Sequence, residues 1–290
     1  MTLAASADIG STAFGQADIQ ATLTFGLHQD SKPYFESAAI TGNQPKLHHK
    51  TNDQAVTVHD MRPFAGNFTL DREGFELHRH ETAVTDLYDD GAIAAIYDGE
   101  IGDLLRELTG ADRVAGFDRT RRADSPKGAA NLDGLRGPAG RVHVDYTAKS
   151  GPQRARDVLG QAEVDQILAT GGRITQVNVW RPITGPVRRT PLALADAASV
   201  AQEELIATDQ IFPDRIGEIY QLAHGPAQQW YWAPEMDRDE VLLIKGWDSL
   251  DDGRAQFTPH GAFSLPDQDP AAPPRESIEV RAYLIFYPAT

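Results

Sequence analysis

Hydrophobic and polar positions alternate with a period of two through much of the second half of the chain. The stretches 216–224, 228–236, 240–249, 255–265 and 276–288 read as short strands, spaced by about 12 residues with Pro, Gly and Asp between them. That rhythm predicts a sandwich, barrel or jelly roll. Segment 173–183 is the clearest strand. Ile174, Gln176, Asn178 and Trp180 fall on one face, Thr175, Val177, Val179 and Arg181 on the other, and Pro182 ends it. Earlier, 21–28 and 55–63 read as strands and 67–82 as a hairpin-like pair, while 1–20 is small and polar and reads as a loose arm.

The period shifts towards that of a helix at 91–111, where Ile93, Ile96, Ile101, Leu104, Leu105 and Leu108 share a face and Gly110 is the stop. Segment 149–172 predicts a second helix, with Ser150 as cap, Pro152 in the first turn and Gly171-Gly172 at the end. A short helix is predicted at 201–209, and 185–200 reads as a loop with a short apolar element. Segment 116–140 is rich in Arg, Gly, Asp and Pro and reads as a long surface loop, a candidate lid.

Composition narrows the function classes. The 290 residues are 41% hydrophobic and 24% charged, enough for a full core. With no cysteine there is no disulfide framework, thiolate zinc site or iron–sulfur cluster. The net charge of −15 argues against nucleic acid as the main partner. No run approaches the ~20 apolar residues of a membrane span. The first residues lack a basic segment followed by a long apolar one, so no signal peptide is expected and the cytoplasm is the default location.

The candidate chemistry begins at Arg141-Val142-His143-Val144-Asp145-Tyr146. In a strand, His143 and Asp145 leave the same face, two-thirds of the two-histidine, one-carboxylate set that holds Fe(II). Alone, the pair reads more plainly as a solvated polar face. His78-Arg79-His80 offers two imidazoles on one face but no carboxylate at that spacing, and His48-His49 reads as loop. His260 sits on a late strand, and it converges with the early pair only if the sheet rolls up. After it come Arg275 and Ser277, a guanidinium and a hydroxyl two residues apart that suit a carboxylate held deep in a barrel. The plainer alternative makes Arg275 a loop residue and pairs Arg281 with Glu279 or an Asp. Arg119, Arg121 and Arg122 read as contacts to an acidic substrate or, more plainly, as solvated charge. There is no Gly-rich phosphate loop and no Gly-x-Ser-x-Gly elbow.

The order His-x-Asp, distant His, then Arg-x-Ser resembles the iron(II)/2-oxoglutarate-dependent oxygenases. The segments NVWRPI (178–183), WYWAPEM (230–236), DEVLLIK (239–245), FTPH (257–260) and PPRESIEVR (273–281) resemble the hydroxylase/desaturase family of CmcJ, AsaB and NvfI. The resemblance is dense from about residue 140 to 288 and loose over the first ~90. It implies a mainly β fold with flanking helices, a double-stranded β-helix of the cupin-like jelly-roll type. One domain would then cover 1–290: strands and a helix in 1–115, the loop 116–140, and the barrel in 141–290.

The resemblance also implies His143, Asp145 and His260 on Fe(II), with 2-oxoglutarate and O2 as co-substrates. Arg275 and Ser277 would hold the far carboxylate of 2-oxoglutarate, with Arg281 in reserve. The implied reaction is hydroxylation or desaturation of an unactivated carbon in a small secondary metabolite, with decarboxylation of 2-oxoglutarate to succinate. Asn178, Trp180, Arg181, Trp232 and Lys245 are the candidates for the substrate side, and the protein is expected as a monomer or homodimer. Gly261 stands where a larger residue is expected, which predicts a wider pocket near the metal. Two rivals stay open: a zinc-dependent hydrolase or lyase on the same barrel, and a non-catalytic jelly roll that binds a small molecule.

Overall fold

A computed structural model describes residues 18–42, 45–126 and 135–288. The expected arm 1–20 lies almost entirely outside the described residues, as do 127–134 in the middle of the expected loop. In chain order the strands are β1 (Ile19–Gly26), β2 (Tyr34–Glu36), β3 (Lys46–His48), β4 (Thr51–Asp60) and β5 (Phe75–Arg79). Then come β6 (Arg113–Ala123), β7 (Leu135–Arg136), β8 (His143–Val144), β9 (Arg173–Pro182), β10 (Leu192–Ala195) and β11 (Leu205–Ile211). The last are β12 (Ile216–Leu222), β13 (Trp230–Trp232), β14 (Glu240–Asp248), β15 (His260–Ala262) and β16 (Glu276–Phe286).

These form two sheets. The larger runs β1-β4-β13-β10-β15-β8-β12-β11-β2-β3 and the smaller β5-β14-β9-β16-β6-β7. Strand alternation decides what each face meets. Leu192 and Leu194 of β10 pack with Trp180, Leu242 and Ile244 of the smaller sheet, so this cluster is the space between the sheets. Ala193 and Ala195 turn the other way, onto Phe25, Trp230 and Trp232. On the smaller sheet, Val177, Val179, Val241, Leu243, Ile278 and Val280 face outward and are covered by Ile101, Leu104 and Leu105 of the helix Asp98–Thr109. This is the expected mainly β jelly roll with helices on its flanks. Among the described residues no helix is long and apolar enough to cross a membrane.

Several elements differ from the sequence pattern, each for a physical reason. Residues 116–123 of the expected loop are not loop but most of the long strand β6, which pairs with β16 from Arg113 to Ala123. Its polar composition hid a strand whose ladder partner lies far along the chain. The expected helix 149–172 is two helices, Ser150–Leu159 and Gln161–Ala169, divided at Gly160 with φ 94°. At its start Thr147 and Ser150 exchange hydrogen bonds: Thr147 N donates to Ser150 Oγ at 2.8 Å and Ser150 N to Thr147 Oγ1 at 3.0 Å. Segment 205–211 is strand rather than helix, because its alternating residues pair along the whole of β12. Within 67–82 only β5 is a strand, and its partner is β14 rather than a local hairpin arm.

Candidate active site

The short strand β8 places His143 directly across from His260, the first residue of β15. Asp145 follows as β8 ends. Ring centroids of the two histidines are 4.7 Å apart. His143 Nε2 lies 3.6 Å from Asp145 Oδ1, and one ligand atom from each of the three residues lies within 4.8 Å of the others. Each imidazole is turned by its own backbone. His143 Nδ1 is 2.9 Å from the carbonyl of Arg141, and His260 Nδ1 is 3.0 Å from that of Thr258. A carbonyl only accepts, so Nδ1 carries the proton in both rings and Nε2 presents its lone pair. Burial, together with the neighbouring His143, lowers His260 to about 4, which keeps it in the neutral, ligating form. Burial alone would raise Asp145, but the Arg281 charge beside it holds it well below the usual carboxylate range. Two neutral imidazoles and one ionised carboxylate fit a divalent first-row metal.

Asp145 is oriented by the smaller sheet. Asn178 Nδ2 donates to its Oδ2 at 2.7 Å and Arg281 Nη2 to the same oxygen at 3.3 Å. Arg281 also pairs with Asp118 and Glu279, both at 2.8 Å. The reserve arginine for the co-substrate is therefore committed to carboxylates of the protein.

The inward face of β16 forms a ladder of side chains leading away from the His-Asp-His cluster. Arg281 is paired with Asp118 on β6 and Asn178 on β9, Glu279 with Thr120 and Trp180, and Ser277 with Arg122 and Pro182. Arg275 lies beyond. The cavity between the sheets is lined by His143, Asp145, His260, Trp180, Leu192 and Arg275, with Arg122, Glu279 and Arg281. Arg275 is 2% exposed, and among the described residues all three of its guanidinium nitrogens are without a hydrogen-bond partner. Its guanidinium lies over Trp180, whose ring centroid is 5.5 Å from Cζ. A buried, unpartnered guanidinium aimed into a cavity fits an anionic ligand such as the far carboxylate of 2-oxoglutarate.

The remaining sequence candidates divide by strand face. Asn178 and Trp180 point inward. Arg181 is on the opposite face of β9, where it donates to Tyr97 Oη at 2.9 Å and to the carbonyls of His80 and Arg238. Lys245 is likewise outside the cavity, bonded to Asp71, Asp248 and the carbonyl of Ala255. Trp232 turns away from the site and lines a separate cavity of about 330 Å³ with Arg188 and Glu235. His78 is held at 2.6 Å by Glu76, a carboxylate that, contrary to the expectation from the sequence, does share the two-residue spacing of His78 and His80. Glu279, named from the sequence only as a partner for Arg281, forms that pair and also lines the cavity; its alternation with Ser277 and Arg281 is the signal that places it there.

Comparison with known proteins agrees with this geometry. A family profile described as YDMC, oxidoreductase/YMDC permease-like domain, matches residues 23–286. The hydroxylase/desaturase efuI of Hormonema carpetanum is 36% identical over 261 residues, covering 82% of this chain and 85% of the relative. The alpha-ketoglutarate-dependent dioxygenase phiK of a fungal species is 35% identical over 240 residues, covering 80% and 84%. Among solved structures, the iron and alpha-ketoglutarate-dependent endoperoxidase NvfI superposes with a TM-score of 0.81 at 26% identity, covering 94% of this chain and 99% of that one. A profile spanning nearly the whole chain and relatives above 30% identity over most of their length place the protein in the hydroxylase/desaturase family of Fe(II)/2-oxoglutarate-dependent dioxygenases.

Proposed function

We propose that His143, Asp145 and His260 hold the iron, and that Arg275 and Ser277 hold the far carboxylate of 2-oxoglutarate, in an enzyme that hydroxylates or desaturates a small secondary metabolite. When bound, iron and 2-oxoglutarate supply the activation of dioxygen for C–H oxidation, with loss of carbon dioxide and formation of succinate. The protein's own part is positioning. The two Nδ1 hydrogen bonds keep both Nε2 atoms on one point, and Asn178 and Arg281 occupy Asp145 Oδ2, so Oδ1 is the oxygen left for the metal. Trp180 and Leu192 give the cavity apolar walls that exclude water and strengthen the charge interactions inside it.

The observation that carries this reading is the unpartnered guanidinium of Arg275 in the same cavity as the His-Asp-His cluster. A zinc hydrolase needs the cluster but has no use for that buried cation. The test adds Fe(II) and 2-oxoglutarate without oxygen and looks for the weak visible charge-transfer band of a chelated keto acid. The band is expected in the parent and absent from His143→Ala and His260→Ala. A protein that shows no band and keeps zinc through purification would sink the reading.

A further inference from the structure

The arginines of β6 have different fates. Arg119 pairs with Asp98, and Arg121 with Asp90 and the carbonyl of Leu87. Both lie on the outer face of the strand. Arg122 lies on the other face with buried Thr120, directly across from Ser277, and lines the cavity that holds Arg275. Its Nη1 donates to the carbonyl of Gly137 at 2.9 Å. Among the described residues no carboxylate forms a close ion pair with it.

Two guanidiniums thus approach one end of the cavity, one from β6 and one from just before β16; Glu279 lines the same cavity, but among the described residues it forms no close ion pair with either. The arrangement is costly without an anion: burial, and then the charge of Arg122, lower Arg275 to about 9. A single carboxylate has two oxygens and about four lone-pair sites, enough to accept two bonds from one guanidinium, one from a second whose Nη1 is already held by Gly137, and one from a hydroxyl. We infer that Arg122 is a second arm of the carboxylate clamp, binding the far carboxylate of 2-oxoglutarate from β6 while Arg275 and Ser277 bind it from β16. This rests on the reading of Arg275 and Ser277 as the clamp.

The test measures binding rather than turnover. Fe(II)-loaded protein is titrated anaerobically with 2-oxoglutarate and with 2-oxovalerate, which keeps the chelating keto acid but lacks the far carboxylate. Arg122→Gln is expected to weaken 2-oxoglutarate by roughly ten- to a hundred-fold, the loss of one charged hydrogen-bonding partner, and to leave 2-oxovalerate nearly unchanged. Arg122→Lys retains the charge without the fork and should fall between parent and Arg122→Gln. Equal weakening of both ligands, or no weakening of 2-oxoglutarate while Arg275→Gln weakens it, overturns the inference and leaves the Arg275 clamp standing. If Arg275→Gln also leaves 2-oxoglutarate binding intact, the underlying reading falls with it.

Discussion

Asn178 Nδ2 donates to Asp145 Oδ2 at 2.7 Å, tying the smaller sheet to the carboxylate of the His-Asp-His cluster carried by the larger. The amide cannot turn over freely, because Gln176 Nε2 donates to Asn178 Oδ1, also at 2.7 Å. Arg281 reaches the same Asp145 oxygen but is shared with Asp118 and Glu279. Orientation of Asp145 therefore depends on a fixed neutral donor as well as on charge.

Asn178→Ala removes that donor. Metal affinity is expected to fall by about ten- to a hundred-fold, the usual effect of losing a partner that orients a ligand. Mn(II) titration followed by electron paramagnetic resonance measures it directly. Unchanged Mn(II) affinity would show that Arg281 alone suffices to set the carboxylate.

Arg275 should reveal itself through stability. A buried guanidinium with three unpartnered nitrogens disfavours folding, and an apolar group of similar shape avoids that cost. Arg275→Met is expected to stabilise the ligand-free protein by about 1–3 kcal/mol while abolishing the extra stabilisation conferred by 2-oxoglutarate. Denaturant unfolding with and without the keto acid separates the two effects. A variant that is less stable without ligand would mean that packing against Trp180 outweighs the buried charge.

The order of the chemical residues was readable because strand periodicity and chain order suffice to put His143 and Asp145 on one face and His260 on a late strand. Which arginine faces the cavity was not. Arg181 and Arg281 both sit in well-formed strands, yet one faces the covering helix and the other the site, and only sheet packing decides this. Arg122 was hidden in a segment that reads as loop, since β6 is a strand only because β16 lies beside it. The same dependence on distant partners explains 205–211, where local composition favoured a helix and pairing with β12 imposed a strand.

The cluster of Asp71, Arg173, Lys245, Asp248 and Arg254 predicts how the fold responds to acid. Lys245 Nζ donates to Asp71 at 2.8 Å and Asp248 at 2.9 Å, and Arg254 to Asp71 at 2.9 Å. Burial raises Asp71, but its bonds from Arg173 and Lys245 prevail and bring it to about 2, against an ordinary 3.8. A carboxyl with a depressed folded value stabilises the fold above its unfolded value, and that contribution disappears as pH falls through the folded one. Asp71→Asn should therefore be less stable than the parent at neutral pH, with the difference closing between pH 3.8 and about 2. Asp71 is about half exposed, so the effect is screened and modest. Denaturant midpoints measured across that window check it, and a difference independent of pH would point to packing instead.

Gly261 lines the cavity, but its position has a stricter reason than pocket width. A Cβ there would lie 3.2 Å from both Arg141 O and Val142 Cα and 3.3 Å from Arg141 C. These are backbone atoms and cannot swing aside as a flexible side chain would. The glycine lets β15 lie close against the segment that delivers His143, and so brings His260 into register with it. Gly261→Ala is expected to push the two segments apart, at about 1–3 kcal/mol of stability, and to weaken metal binding as the histidines separate. Denaturant unfolding and Mn(II) titration of the same variant give the two readouts. Loss of both would tie the close approach of backbone to the metal centre. A variant that is destabilised but binds Mn(II) as the parent does would show that Asp145 and the histidines tolerate the shift, and Gly261 would then matter for packing alone.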